Sequence, residues 1–172
     1  FAVNNDPGFY NKDILLIDID NSSNYQAFMD GIRSNPDVIM AAGAIWGIPC
    51  MDYSITLYQH FRDRDRKVPV EHFDVDYDFL KTFGLKIIAG RDFDPENVTD
   101  STAILLNESA VKELKLSPEE AIGKAVTRPA HSYYGGPDST QAPVHGRVIG
   151  VVEDFPYKSM NHKIDPLGIS PR

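Results

Sequence analysis

The stretch 76–93, DYDFLKTFGLKIIAGRDF, constrains this chain more than any other. Phe79, Leu80 and Phe83 share one face of a short helix, and Asp76 stands where a cap is wanted. Gly84 can take the left-handed conformation that ends such a helix. The apolar run 85–89 has strand length, and Gly90, Arg91 and Asp92 close it with a turn. A helix fastened to a strand through glycines, with phenylalanines between them, needs a sheet to pack on. Two later segments supply candidate strands for that sheet: 103–114 (AILLNESAVKEL) and 147–155 (RVIGVVEDF). None of the three carries a catalytic signature.

The remaining chain reads as alternating short elements. After a turn at Asp6-Pro7-Gly8, the run 14–19 has strand length. Ser23 and Gln26 fit a capping box, and Tyr25, Phe28, Met29 and Ile32 make a helical stripe. Asn35-Pro36 stops that helix. The run 38–46 follows, apolar enough for a strand buried on both faces, so the segment reads as a βαβ unit. From Tyr53 the pattern alternates as in a half-exposed strand, and 68–75 is its antiparallel return, with Pro69 marking an edge. Asn107 is placed to cap a helix bearing Ala110, Val111 and Leu114. Ser117, Pro118 and Glu120 combine cap, first-turn proline and capping-box acid. Gly123 ends that turn, and 124–127 and 144–152 read as strands, the latter interrupted by Gly150. The loop 129–143 (PAHSYYGGPDSTQAP) has no periodicity, and the tail 155–172, with prolines at 156, 166 and 171, reads as mostly irregular.

Function classes fall away in turn. At 172 residues the chain suits one domain or two small lobes. A net charge of -8 argues against a nucleic-acid partner. The basic cluster 62–67 is neutralised by its own aspartates. A single cysteine, Cys50, excludes an internal disulfide and a thiolate cluster. The longest apolar run, 38–48, is too short to cross a bilayer, and the chain is expected to be a piece excised from a longer protein. Asp74, Asp76 and Asp78 have the opening spacing of a calcium loop, but Phe79 and Leu85 stand where glycine and glutamate are required. Asp18 and Asp20 supply too few ligands for a cation.

The histidines at 60, 72, 131, 145 and 162 lack zinc spacing and are expected at the surface. No serine sits in a nucleophile elbow, and no glycine-rich loop is followed by Lys-Ser/Thr. Trp46 and Cys50 read as core packing. No catalytic, cofactor or metal residue is therefore expected. The candidate contact residues for a partner protein are aromatic: Tyr133, Tyr134, Phe155 and Tyr157, with plugging of the domain's own core as the other reading.

Taken in order, 6–17 (DPGFYNKDILLI), 78–93 (DFLKTFGLKIIAGRDF), 104–111 (ILLNESAV), 122–124 (IGK), 148–155 (VIGVVEDF) and Pro166-Leu167 resemble the extracytoplasmic core domain of MacB/FtsX-like ABC transporter permeases, particularly those of Bacteroidetes type. The resemblance implies an α+β fold in a single extracytoplasmic domain, 1–172. It has a βαβ porter-like lobe (12–48 with 147–172) and a smaller strand-and-helix lobe (49–146). It implies an inner-membrane protein with this domain in the periplasm and no enzymatic activity or cofactor of its own. The implied partners are a cytosolic ABC ATPase reached through transmembrane helices, a second permease subunit as homodimer or heterodimer, and an envelope protein or lipoprotein. The implied role is to couple ATP hydrolysis to export or release of lipoprotein, peptide or similar cargo, or to regulate an envelope partner. The alternative is a stand-alone periplasmic module that binds a ligand or glycan with Tyr133 and Tyr134.

Overall fold

A computed structural model of the chain describes residues 13–19, 24–45, 54–59, 67–128, 144–158 and 163–172. In chain order the elements are α1 (Tyr25–Arg33), β1 (Ser54–Gln59), β2 (Lys67–Val75), α2 (Phe79–Phe83), β3 (Ile87–Gly90), β4 (Ala103–Asn107), α3 (Glu108–Glu113), α4 (Pro118–Ala121), β5 (Ala125–Arg128), β6 (Val144–Val152) and β7 (Leu167–Pro171), with a 3-10 turn at Val98–Thr102. The strands form one mixed sheet in the order β1-β2-β7-β4-β6-β3, and β5 pairs with the first half of β6. The β2–β7 and β4–β6 pairs are parallel and the others antiparallel. This is the α+β class expected from the sequence.

All five residues of β4 are buried, which requires a strand covered on both faces. Alternation along β4 divides its side chains between two cores. Ala103 and Leu105 join Phe73 and Val75 of β2, Leu167 and Ile169 of β7, and Phe79, Leu80 and Phe83 of α2. Ile104 and Leu106 join Val148 and Val151 of β6, with Ala110, Val111 and Leu114 from the α3 segment and Ala121 of α4. Each leucine buried this way contributes about 2 kcal/mol.

The local signals explain the helices. Gly84 has φ 64° and ψ 30°, and the amides of Gly84 and Leu85 donate to the carbonyls of Lys81 and Leu80 in a Schellman pattern. Asn107 accepts the Ala110 amide and starts α3, and Ser117 and Glu120 complete a capping box on α4.

Five expectations need correction. Asp76 does not cap α2; the residue at that position is Asp78, and its side chain makes no cap bond. Helix α1 likewise starts after Asn24 without a side-chain cap, and Gln26 bonds Asp30 instead, one turn on. The runs 14–19 and 38–45 join no ladder among the described residues, apart from a single bridge from Ala44 to Val75. The second run is not buried on both faces, since Ile39 is 97% exposed. Pro69 does not mark an edge strand, because β2 lies between β1 and β7. It is tolerated because the β7 register begins only at Glu71, so the missing amide costs no bond to β7. The described part of the tail is mostly irregular, as expected, but its end is not: β7 lies between β2 and β4 with all five residues buried.

Candidate functional site

Phe155 and Tyr157, expected at a partner surface, are each 1% exposed and belong to the α2-side core. They follow β6 and close over the sheet, Tyr157 edge-on to Phe73 at 5.3 Å and tilted against Phe155 at 5.7 Å. The expectation of exposure at 155 and 157 is corrected: the sheet face needs a cover there, and the rings provide it. Tyr133 and Tyr134 lie outside the described residues.

Among the described residues four polar clusters stand out, each engaged with the fold. The first lies where β1, β2 and β7 adjoin. His72, expected at the surface, is 1% exposed, on the face of β2 opposite Phe73. Its Nδ1 is 2.8 Å from the Tyr58 hydroxyl and its Nε2 2.7 Å from Ser170 Oγ. Ser170 donates to Asp74 at 3.0 Å. A hydroxyl has one proton, so with that proton on Asp74 the Nε2 group is the donor to Ser170. In the neutral ring Nδ1 then accepts from Tyr58. Serine, histidine and aspartate therefore meet, but not as a catalytic triad. The serine donates to the carboxylate rather than to the imidazole, and the carboxylate lies 3.4 Å from the same Nε2 that faces the serine, not on Nδ1 as a triad requires. Gly168 leaves the necessary room, since a Cβ there would lie 2.5 Å from the Tyr58 oxygen.

In the second cluster Lys158, largely buried, bonds both Glu71 and Asp165, the latter at 2.7 Å. Burial pulls its ammonium pKa down, but the two carboxylates outweigh this and hold it above the ordinary lysine value. The pair fastens the segment after β6 to β2. In the third, Arg91 grips Asp100 with two bonds of 2.6 and 2.8 Å, and the Asp94 amide adds a third at 2.9 Å. The Arg91 bond holds the Asp100 carboxyl below the usual carboxylate range.

The fourth cluster joins α1 to the sheet. Asp76 accepts from the Tyr25 hydroxyl at 2.5 Å, the Gly43 amide at 2.9 Å and Arg172 Nε at 2.8 Å. Burial pushes the Asp76 carboxyl up, yet these bonds prevail and lower it overall. Burial, and then the bond to Asp76, raise the Tyr25 hydroxyl to about 12. Among the described residues no group of three acidic, histidine or cysteine side chains is arranged to hold a metal ion.

What the surface offers is apolar. Leu15, Leu16 and Ile17 before α1, and Ile39, Met40 and Ile45 after it, are all exposed, Leu15 to 81%. These are the runs that hydrophobicity alone assigns to buried strands. A contact surface on them has no sequence signature distinct from that of a core strand.

No helix among the described residues is long and apolar enough to cross a membrane. Neither a protein-family model nor a curated protein matches the sequence. Solved structures do match in fold. The periplasmic region of MacB from Actinobacillus actinomycetemcomitans aligns with a TM-score of 0.51 at 18% identity, over 84% of this chain and 54% of that one. The extracellular domain of the noncanonic ABC-type transporter YknZ from Gram-positive bacteria gives 0.55 at 12%, over 85% and 61%. A domain of a protein described as a permease from Porphyromonas gingivalis gives 0.51 at 18%, over 83% and 54%. The chain thus spans between 54% and 61% of the length of these structures. It has the fold of the MacB periplasmic domain.

Proposed function

We propose that the chain is a non-enzymatic extracytoplasmic domain of an ABC transporter permease. In this reading it is carried outside the inner membrane, and transmembrane helices elsewhere in the protein connect it to a cytosolic ATPase. It passes conformational change to a second permease subunit and to an envelope protein or lipoprotein partner. The work done is export or release of cargo such as lipoprotein or peptide. The observation that carries the reading is the shared fold, over more than four fifths of the chain, with domains of three transporter or permease proteins. The polar clusters agree with it, since each ties parts of the fold together. The exposed apolar side chains around α1 are the surface such a module offers to another protein.

The full-length protein, affinity-tagged and extracted from membranes in detergent, is expected to retain a subunit that hydrolyses ATP. A variant of that ATPase unable to hydrolyse ATP is expected to change the protease sensitivity of the extracytoplasmic domain. Recovery of the protein in the soluble periplasmic fraction, with no ATPase attached, would overturn the reading.

A further inference from the structure

The segment 24–45 meets the sheet at one end of β2 and β7. Val75 and Pro171 are paired at that end, and the next residues, Asp76 and Arg172, project from adjacent strands. Arg172 donates its amide to Val75 and its Nε to Asp76, and its guanidinium lies 3.9 Å from the centre of the Tyr25 ring. Gly43 donates its amide to the same carboxylate and accepts from the Asp76 amide at 2.8 Å. A Cβ at position 43 would stand 2.1 Å from the Tyr25 hydroxyl and 2.9 Å from an Arg172 nitrogen, so any larger residue would displace those two side chains from Asp76. One carboxylate thus gathers the start of α1, the segment after it, and the ends of two strands.

The two buried cores are assembled without this segment. Their buried members run from Tyr58 to Ile169, and of 24–45 only Ala42 and Ala44 pack against them, partly buried. Within α1 only Met29 is buried, and the Arg33–Asp78 pair at 3.7 Å is solvent-exposed and weak. The segment is therefore held chiefly by polar, partly exposed contacts, which open at lower free energy than a packed core. The exposed apolar side chains Ile39, Met40 and Ile45 ride on it.

We propose that Tyr25, Gly43, Asp76 and Arg172 form a releasable latch that fixes α1 and residues 38–45 against the sheet. Opening the latch lets this unit move while the seven strands stay folded. The latch stands on this geometry whether or not the transporter reading holds. Under that reading it is where motion of α1 is coupled to the sheet.

Hydrogen exchange followed by mass spectrometry on the 172-residue chain tests it. Asp76→Asn is expected to speed amide exchange in 25–45 by about tenfold or more, the scale of one charge-assisted hydrogen bond, with β4, β6 and β7 unchanged. Tyr25→Phe removes one hydroxyl without changing volume, so it remains informative if Asp76→Asn fails to fold. It is expected to give a smaller change confined to the same residues. Acceleration spread through β4, β6 and β7 would overturn the proposal by making the cluster part of the sheet's own stability. Unaltered exchange in 25–45 for Tyr25→Phe and for folded Asp76→Asn would overturn it by showing that apolar packing holds α1.

Discussion

At the scale of single residues, the Asn107 side chain holds three backbone groups at once. Its Oδ1 accepts the Ala110 amide at 2.9 Å and the Leu167 amide at 2.8 Å, and its Nδ2 donates to the Asp165 carbonyl at 2.9 Å. One buried side chain thus caps α3 and fixes the entry to β7. Asn107→Ala is expected to cost about 3 kcal/mol in urea unfolding, because two buried amides lose their acceptor at once. Asn107→Asp keeps the acceptor and loses the donor, so it is expected to cost distinctly less; equal costs would refute the double role. Acid sensitivity is set at this scale too. Asp76 and Asp100 both have folded carboxyls below their unfolded value of about 4. The ionised forms are favoured by folding, so their stabilisation is fully present above that value and is lost as pH falls through the lower folded values. Asp92, raised by burial, works in the opposite sense. Wild-type stability is expected to decline below about pH 4, and Asp76→Asn to flatten part of that decline. An unchanged acid limb in Asp76→Asn would remove Asp76 from this account.

At the scale of elements, legibility followed the range of the forces involved. Helices α2, α3 and α4 could be read because Gly84, Asn107 and Ser117 act on neighbours within a few residues. Strand β7 could not be read: five residues near two prolines carry no periodicity, and its place is set by β2 and β4, far away in sequence. The runs 14–19 and 38–45 failed in the other direction, since apolar content cannot tell a core strand from an exposed contact surface. For Phe155 and Tyr157 the sequence shows that they lie outside a strand, and not that a sheet face lies beneath them. The burial of His72 has no local signal, because its partners Tyr58 and Ser170 lie on separate strands, 14 and 98 residues away. That chain of side chains crosses β1, β2 and β7 as one connected unit. Tyr58→Phe and Ser170→Ala are each expected to cost about 2 kcal/mol, because each removes a hydroxyl hydrogen-bonded to a buried imidazole. Their effects are expected to be non-additive by about 1 kcal/mol in a double-mutant cycle, since both act through His72. Simple additivity would mean that the two bonds are independent of one another.

At the scale of the molecule, the cores on the two faces of the sheet cannot melt separately, because the same strands build both. Leu105 faces the α2 side and Ile104 and Leu106 the α3 side of one five-residue strand. Strand β6 likewise gives Val152 to one core and Val148 and Val151 to the other. Losing either core removes the support of β4 and β6, and the other core goes with them. The residues after 147 also supply β7 to the centre of the sheet, between strands from the middle of the chain. Leu105→Ala and Leu114→Ala, on opposite faces, are each expected to cost about 3 kcal/mol and to shift a single unfolding transition. Calorimetry of the two variants is the check, with the calorimetric and van't Hoff enthalpies equal in both. If Leu114→Ala split the transition, leaving the α2-side core to melt at the wild-type temperature, the faces would be independent lobes. Residues 24–45 lie outside this cooperative unit because neither core draws a buried side chain from them. A rigid sheet with a separately latched unit is what transmission of motion requires: one body that keeps its shape and a second that moves against it.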